Sequence, residues 1–177
     1  MEVELEYIFE KYELTREQYE TFRDRFSLKQ LRAGDTILSE GDLPETFYFL
    51  KSGELTASRL SSDWQEKVLK VLGPGELFGE VGLLQDIPRI ATIRAITDTQ
   101  LYELGKADFF DLLGCNPAFS ALLDRLHTLR LLQGIPVFSK LDDDDLLKIR
   151  EELALKQYQA GETLVSEGDA EDALYLV

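Results

Sequence analysis

The chain has 177 residues, 44% of them hydrophobic and 10% aromatic, which allows one ordinary domain with a real core and part of another. Lys and Arg number 19 against 34 Asp and Glu, a net charge of −15, so neither non-specific nucleic-acid binding nor adhesion to an anionic membrane is expected, since both need a basic face. Cys115 is the single cysteine, the opening Met1-Glu2-Val3-Glu4-Leu5-Glu6 is acidic, and no apolar run approaches 18 residues; together these point to a reducing, cytoplasmic setting without signal peptide or membrane span.

Residues from about Glu4 to Phe26 read as helices. Thr15-Arg16-Glu17-Gln18 has the form of an N-cap with a capping-box Gln, and Tyr19, Phe22 and Phe26 follow at helical spacing as a packing stripe. From Leu28 the period changes to two. Strands are expected at about Leu28–Arg32, Thr36–Ser39, Phe47–Lys51, Glu54–Leu60, Lys67–Leu72, Leu77–Phe78, Ile90–Ala95 and Leu101–Leu104, broken by turns such as Ala33-Gly34-Asp35, Glu40-Gly41-Asp42 and Ser52-Gly53. Eight short, evenly punctuated strands suggest a double-sheet jelly roll or a small barrel.

Between the sixth and seventh strands lies Phe78-Gly79-Glu80-Val81-Gly82-Leu83-Leu84-Gln85-Asp86-Ile87-Pro88-Arg89-Ile90-Ala91-Thr92. Gly79-Glu80 opens a short helical run that Pro88 closes. Its first turn leaves amides of about Val81, Gly82 and Leu83 without partners at the positive end of a helix, and Gly82 has no side chain to obstruct an anion. Arg89 can return a bidentate guanidinium to the same anion, while Glu80 can accept hydrogen bonds from sugar hydroxyls. Such a set suits a ligand carrying a phosphate and a ribose. The bland alternative is a surface ion pair between Glu80 and Arg89, worth about 0–1 kcal/mol, with the glycines serving only turns.

Lys106 to Leu132 returns to helical patterning. One helix ends at Gly114, and a second from about Pro117 places Phe119, Leu122, Leu123, Leu126 and Leu129 on one face. Cys115 reads as a small filler at a helix start. His127 reads as a solvent-facing helix residue, with stacking on a nucleobase as the alternative. A lone histidine rules out the several-histidine metal site of jelly-roll metalloenzymes and leaves no Ser/His/Asp or Cys/His site unless His127 is its base, which nothing nearby suggests.

The chain then starts over. Leu28 to Asp42 returns as Leu155 to Asp169 at one constant offset, with ten of fifteen positions identical, and Ile135-Pro136-Val137-Phe138 replays the lead-in of Ile8-Phe9. Asp142 to Asp145 is expected to charge the first turn of a helix rather than to bind metal. The second copy stops at Val177, in its third strand, without a counterpart of Glu80 or Arg89. At most one nucleotide per chain is expected, and the open edge suggests a fragment of a longer tandem protein or strand pairing in a homodimer.

The strings Phe78-Gly79-Glu80-Val81-Gly82-Leu83 and Pro88-Arg89-Ile90-Ala91-Thr92 resemble the phosphate-binding cassette of the cyclic-nucleotide-binding domain family. The resemblance implies an α+β fold: an eight-stranded antiparallel β-roll (jelly roll) with N-terminal helices and C-terminal lid helices, here residues 1–134, followed by a partial second copy over 135–177. It implies that Glu80 takes the ribose 2′-hydroxyl, and that Arg89, the amides of Gly82 and Leu83, and Ala91-Thr92 take the cyclic phosphate. Gly82 stands where alanine is more usual, which should make the cassette more flexible. The lid helices should follow the cassette, with Leu83 and Leu84 meeting Phe109, Phe110 or Leu113.

The expected function is therefore a non-catalytic sensor module, without metal, that binds cyclic AMP and relays occupancy to an unidentified effector. Ile90 follows the arginine where a Thr or Ser tends to accompany cyclic GMP, so cyclic AMP is favoured. The tandem order resembles regulatory subunits of cyclic-AMP-dependent kinases, but no Arg-Arg-x-Ser-type inhibitor segment opens the chain. The alternative is a degenerate β-roll used for protein association without nucleotide.

Overall fold

The computed structural model describes residues 2–61, 63–133, 135, 137, 138, 141, 143–154, 159 and 161–166. Its order begins with α1 (Leu5–Lys11), α2 (Arg16–Phe22) and a 3-10 turn at Arg23–Arg25. Eight strands follow: β1 (Ser27–Leu31), β2 (Thr36–Leu38), β3 (Thr46–Ser52), β4 (Leu55–Leu60), β5 (Glu66–Leu72), β6 (Leu77–Phe78), β7 (Thr92–Ala95) and β8 (Thr99–Gly105). Between β6 and β7 lies the short α3 (Glu80–Gln85), and α4 (Lys106–Gly114), α5 (Pro117–Gln133) and α6 (Asp143–Glu152) follow β8 among the described residues.

The strands form two four-stranded antiparallel sheets, in the orders β1-β8-β3-β6 and β2-β7-β4-β5. This is the expected eight-stranded β-roll with helices at both ends. The capping box at α2 is formed as its spacing predicts: the Gln18 amide donates to Thr15 Oγ1 at 3.2 Å and the Thr15 amide to Gln18 Oε1 at 2.7 Å.

β3 explains why the roll and the helices form one body. Its run Phe47-Tyr48-Phe49-Leu50 is buried on both faces. Tyr48 and Leu50 point into the core between the sheets with Leu55, Leu72, Phe78, Ile93, Ala95 and Leu101. Phe47 and Phe49 point the other way, into a larger core with Ile8, Phe9, Phe22, Leu83, Phe109, Leu112, Phe119 and Leu123. The second core is aromatic: Phe47 meets Phe49 edge-on at 4.8 Å and Phe109 at 4.9 Å. It is also where α3, α4 and α5 converge.

Most strand bounds shift by a residue or two from expectation (β8, for instance, begins at Thr99 rather than Leu101), and one shift bears on the site. β7 begins at Thr92 rather than Ile90, because the backbone of Arg89 is bonded elsewhere: its amide donates to the Asp42 carbonyl and its carbonyl accepts from the Gly41 amide, both at 2.8 Å. Pairing with β4 starts only at Ser58–Thr92.

The repeat is visible at one turn. At Arg32–Asp35, Gly34 has φ 92°, the Asp35 amide reaches the Arg32 carbonyl at 3.0 Å, and Asp35 Oδ2 accepts from the Arg32 amide at 2.8 Å. At Gln159–Glu162, Gly161 has φ 91° and the corresponding bonds are 3.0 and 2.8 Å. Positive φ is the reason both turns hold glycine. The rest of the expected second copy, residues 155–158, 160 and 167–177, lies outside the described residues. Asp145 lies in the first turn of α6, where its expected role places it, and pairs with Lys148 at 2.8 Å.

Truncating Phe49, fully buried between β3 and the helices, is expected to cost about 3–5 kcal/mol of stability in urea unfolding. Trp64→Ala, at a site 80% exposed, should change it by less than about 0.5 kcal/mol.

Candidate functional site

β6 delivers the chain to the mouth of the roll, where Gly79, at φ 87°, turns it into α3. The positive φ fits glycine alone among common residues without strain. α3 ends at Asp86, also left-handed at φ 50°, with the amides of Asp86 and Ile87 both reaching the Gly82 carbonyl. Pro88 and Arg89 then lead to β7. Phe78, Glu80, Val81, Gly82, Leu83 and Arg89 are buried, Gly79, Ala91 and Thr92 half-buried, and Ile90 40% exposed. The ten expected residues thus form one continuous structure at one end of the roll.

Glu80 and Arg89 are not a surface pair. Glu80 is 0% and Arg89 4% exposed. Arg89 donates from Nη1 to the Gly79 carbonyl and from Nη2 to the Thr46 carbonyl, each at 2.6 Å, with the Thr46 hydroxyl at 3.4 Å. It therefore fastens the cassette to the start of β3. Burial lowers the Arg89 pKa, a shift that nearby Tyr48, Glu80, Asp42 and Glu45 oppose. Burial likewise pushes Tyr48 up to about 12, so its hydroxyl, accepting from Thr46 at 2.7 Å, stays neutral. The Tyr48 ring stacks on Phe78 with centroids 5.0 Å apart.

Glu80 Oε1 accepts from Arg130 Nη1, and Arg130 Nη2 donates to the Leu77 carbonyl at 2.9 Å. Arg130 comes from α5, 50 residues away. Three residues earlier on α5, His127 Nε2 lies 3.0 Å from Gln85 Nε2 at the end of α3. His127 is therefore not solvent-facing but half-buried against the cassette, because α5 lies across α3. Asp86, the next cassette residue, pairs with Lys106 at the start of α4 at 2.9 Å. Sequence reasoning missed Arg130. Its signal was the i, i+3 spacing with His127, which puts both on one side of a helix.

The cassette helix meets the lid as expected, with one change. Leu83 shares its core with Phe109, Leu112 and Phe119, while Leu84 and Leu113 pack at its edge. Phe110 instead stays 42% exposed. Gly82 also has a steric reason: a Cβ there would lie 3.0 Å from Pro44 Cβ and 3.1 Å from the Ile87 carbonyl oxygen. Thr92 Oγ1 accepts from the Glu40 amide at 3.1 Å. Two buried side-chain atoms among the described residues lack a hydrogen-bond partner, Glu80 Oε2 and Arg89 Nε. Among those residues no cluster of His, Cys, Asp or Glu could hold a metal ion, and no helix is long and apolar enough to cross a membrane.

Residues 28–115, from the first strand through the cassette to the end of α4, match the family model described as cyclic nucleotide-binding domain. The chain belongs to the cyclic-nucleotide-binding domain family. It is similar to the cAMP-dependent protein kinase type II regulatory subunit of Drosophila melanogaster, 28% identical over 164 residues, covering 93% of this chain and 41% of that protein. It is also 28% identical over 156 residues to Drosophila melanogaster cGMP-dependent protein kinase, isozyme 1, covering 87% of this chain and 19% of the other. Among solved structures, it superposes on the regulatory domain of Toxoplasma gondii PKA with cAMP at TM-score 0.63 and 30% identity, covering 82% of this chain and 55% of that one. The chain spans less than half the length of these curated relatives.

Near neutral pH the stability of this cyclic-nucleotide-binding domain should depend on pH through its single histidine. His127 is held below the ordinary histidine value, first by burial, with Arg130 acting in the same direction against Glu80 and Asp124. The unfolded chain therefore binds more protons at this residue just below about pH 6.5, so stability should fall as pH drops through that window. Urea midpoints from pH 7.5 to 5.5 should fall more steeply for the native chain than for His127→Gln.

Proposed function

We propose that this chain is a non-catalytic sensor module that binds one cyclic nucleotide, cyclic AMP in preference to cyclic GMP, in residues 78–92 and relays occupancy through α4 and α5 to an effector. The observation that carries the reading is the pair of unpartnered buried atoms. Glu80 Oε2 and Arg89 Nε belong to the two residues assigned to the ribose and the phosphate from the motif alone. Buried polar atoms are normally bonded, and an orphan in each of two facing charged groups is what a removable partner with hydroxyl and phosphate oxygens would satisfy. The similarity to a cAMP-bound regulatory domain supports the ligand class.

In this reading Glu80 serves two partners. Oε2 accepts from the 2′-hydroxyl, while Oε1 keeps Arg130 and so holds α5 on the occupied cassette. Arg89 turns its guanidinium, now on the Gly79 and Thr46 carbonyls, toward the phosphate, with amides of the first turn of α3. Exchanging neutral carbonyls for a doubly bonded anion favours the bound form. The contacts Glu80–Arg130, Gln85–His127 and Asp86–Lys106 are the physical route from cassette to lid. Ile90 offers no hydrogen bond to a guanine, which favours adenine. The effector, and a cytoplasmic setting, are inferred from the kinase-regulatory relatives and from a reducing-compartment composition.

Calorimetry with both nucleotides tests this. Cyclic AMP should bind more tightly than cyclic GMP, Arg89→Lys should weaken binding by about 2–5 kcal/mol while the chain stays folded, and Ile90→Thr should narrow the gap between ligands. Absence of heat with either nucleotide would favour the association-only β-roll. Arg130→Met should weaken binding and abolish the ligand-induced change in hydrogen exchange over residues 106–133.

A further inference from the structure

The N-terminal helices supply more than packing, because one side chain on α2 reaches the corner where α4 gives way to α5. Gln18 makes three hydrogen bonds besides that of its own amide. Oε1 accepts from the Thr15 amide at 2.7 Å and from Asn116 Nδ2 at 3.0 Å, and Nε2 donates to the Cys115 carbonyl at 3.1 Å. Asn116, 6% exposed, stands just before Pro117, and its Oδ1 accepts from the Phe119 amide at 3.1 Å as a cap for α5. The donors and acceptors agree along the whole chain of bonds. Reversing the Gln18 amide would set its NH2 against two other donors.

A single side chain thus closes the start of α2, meets the cap of α5 and satisfies a carbonyl at the end of α4, one of the groups a helix terminus leaves unpaired. A second strap runs parallel to it. Arg25 Nη1 bonds Asp108 at 2.9 Å and Asp111 at 3.0 Å on α4, with its guanidinium 4.7 Å from the centre of the Phe22 ring.

We propose that Gln18 is a positioning residue for the lid: it fixes the α4–α5 corner on α2 and so keeps α5, with Arg130, over the cassette. The holding role stands on this geometry alone. Its effect on affinity rests on the cyclic-nucleotide reading of the cassette. In that case α2 is a second input to the site, and whatever loosens α2 at Gln18 lowers the affinity for ligand.

Two variants separate the cap from the clamp. Glu at the third helical position serves a capping box as Gln does, so Gln18→Glu keeps the acceptor for Thr15 and Asn116 and removes the donor to Cys115. Thr15→Ala does the reverse, removing the cap and leaving the clamp. Hydrogen exchange of the full chain without nucleotide should show residues 113–120 exchanging about three- to tenfold faster in Gln18→Glu, as expected for one net hydrogen bond, with 16–22 unchanged. In Thr15→Ala the pattern should invert. Unchanged exchange at 113–120 in Gln18→Glu, or both regions loosening together in both variants, overturns the clamp. With cyclic AMP as probe, Gln18→Glu should bind at least threefold more weakly, with a urea midpoint lowered by no more than the loss of one hydrogen bond accounts for. Equal or tighter binding overturns the link to the site. If the native chain itself binds no cyclic nucleotide, the nucleotide reading falls, and the exchange arm still decides the clamp.

Discussion

A fully buried carboxylate has to be matched, and in this fold the match for Glu80 comes from α5, 50 residues further along the chain. Leaving it alone would cost several kcal/mol. Arg130 supplies the counter-charge from α5 and also takes the Leu77 carbonyl at the end of β6. The ion pair therefore does not merely decorate the cassette; it ties α5 to α3 and to the end of β6. On the same side, Phe119 and Leu123 of α5 share one core with Leu83 of α3 and Phe109 of α4. The pair leaves one carboxylate oxygen without a partner, so the demand is met only in part by the protein itself.

The cassette is equally dependent on the turn between β2 and β3. Gly41 and Asp42 hold the backbone of Arg89, Pro44 lies against Gly82, and Thr46 accepts from the guanidinium. Residues 41–46 are in effect the floor on which the 78–92 loop rests. A substitution there acts on the site without touching any ligand, because the space between Pro44 and Gly82 would not admit even a Cβ without a shift. Six residues of helix have too few internal hydrogen bonds to hold their own shape. The neighbours hold it for them.

The two-residue alternation and the glycine turns made the strands legible, since both are local properties of the chain. Thr15 and Gln18 announced their capping box for the same reason. The cassette was legible as a string because its residues are close in sequence. What local pattern could not reveal was partnership across distance. Arg130 and His127 look like ordinary exposed residues of an amphipathic helix until α5 is laid across α3, and Gln18 discloses nothing about Cys115 or Asn116, 97 and 98 residues away. The start of β7 was misjudged because Ile90 and Ala91 have strand-like side chains, whereas the backbone of Arg89 had already been claimed by the turn at 41–42. Phe110 was indistinguishable from Phe109 by composition; only the direction of the helix decided which ring was buried.

Leu129 and Leu132 flank Arg130 in sequence yet face a different neighbour, Leu146 of α6, with Ile135, Phe138 and Ile149 around them. The helix α5 consequently belongs to two cores at once, one shared with the cassette and one shared with α6. No clean seam exists for severing the β-roll from α6. A cut after α5 would strip Leu129 and Leu132 of their cover and fray the helix at the turn that carries Arg130, so removing α6 would silently alter the cassette.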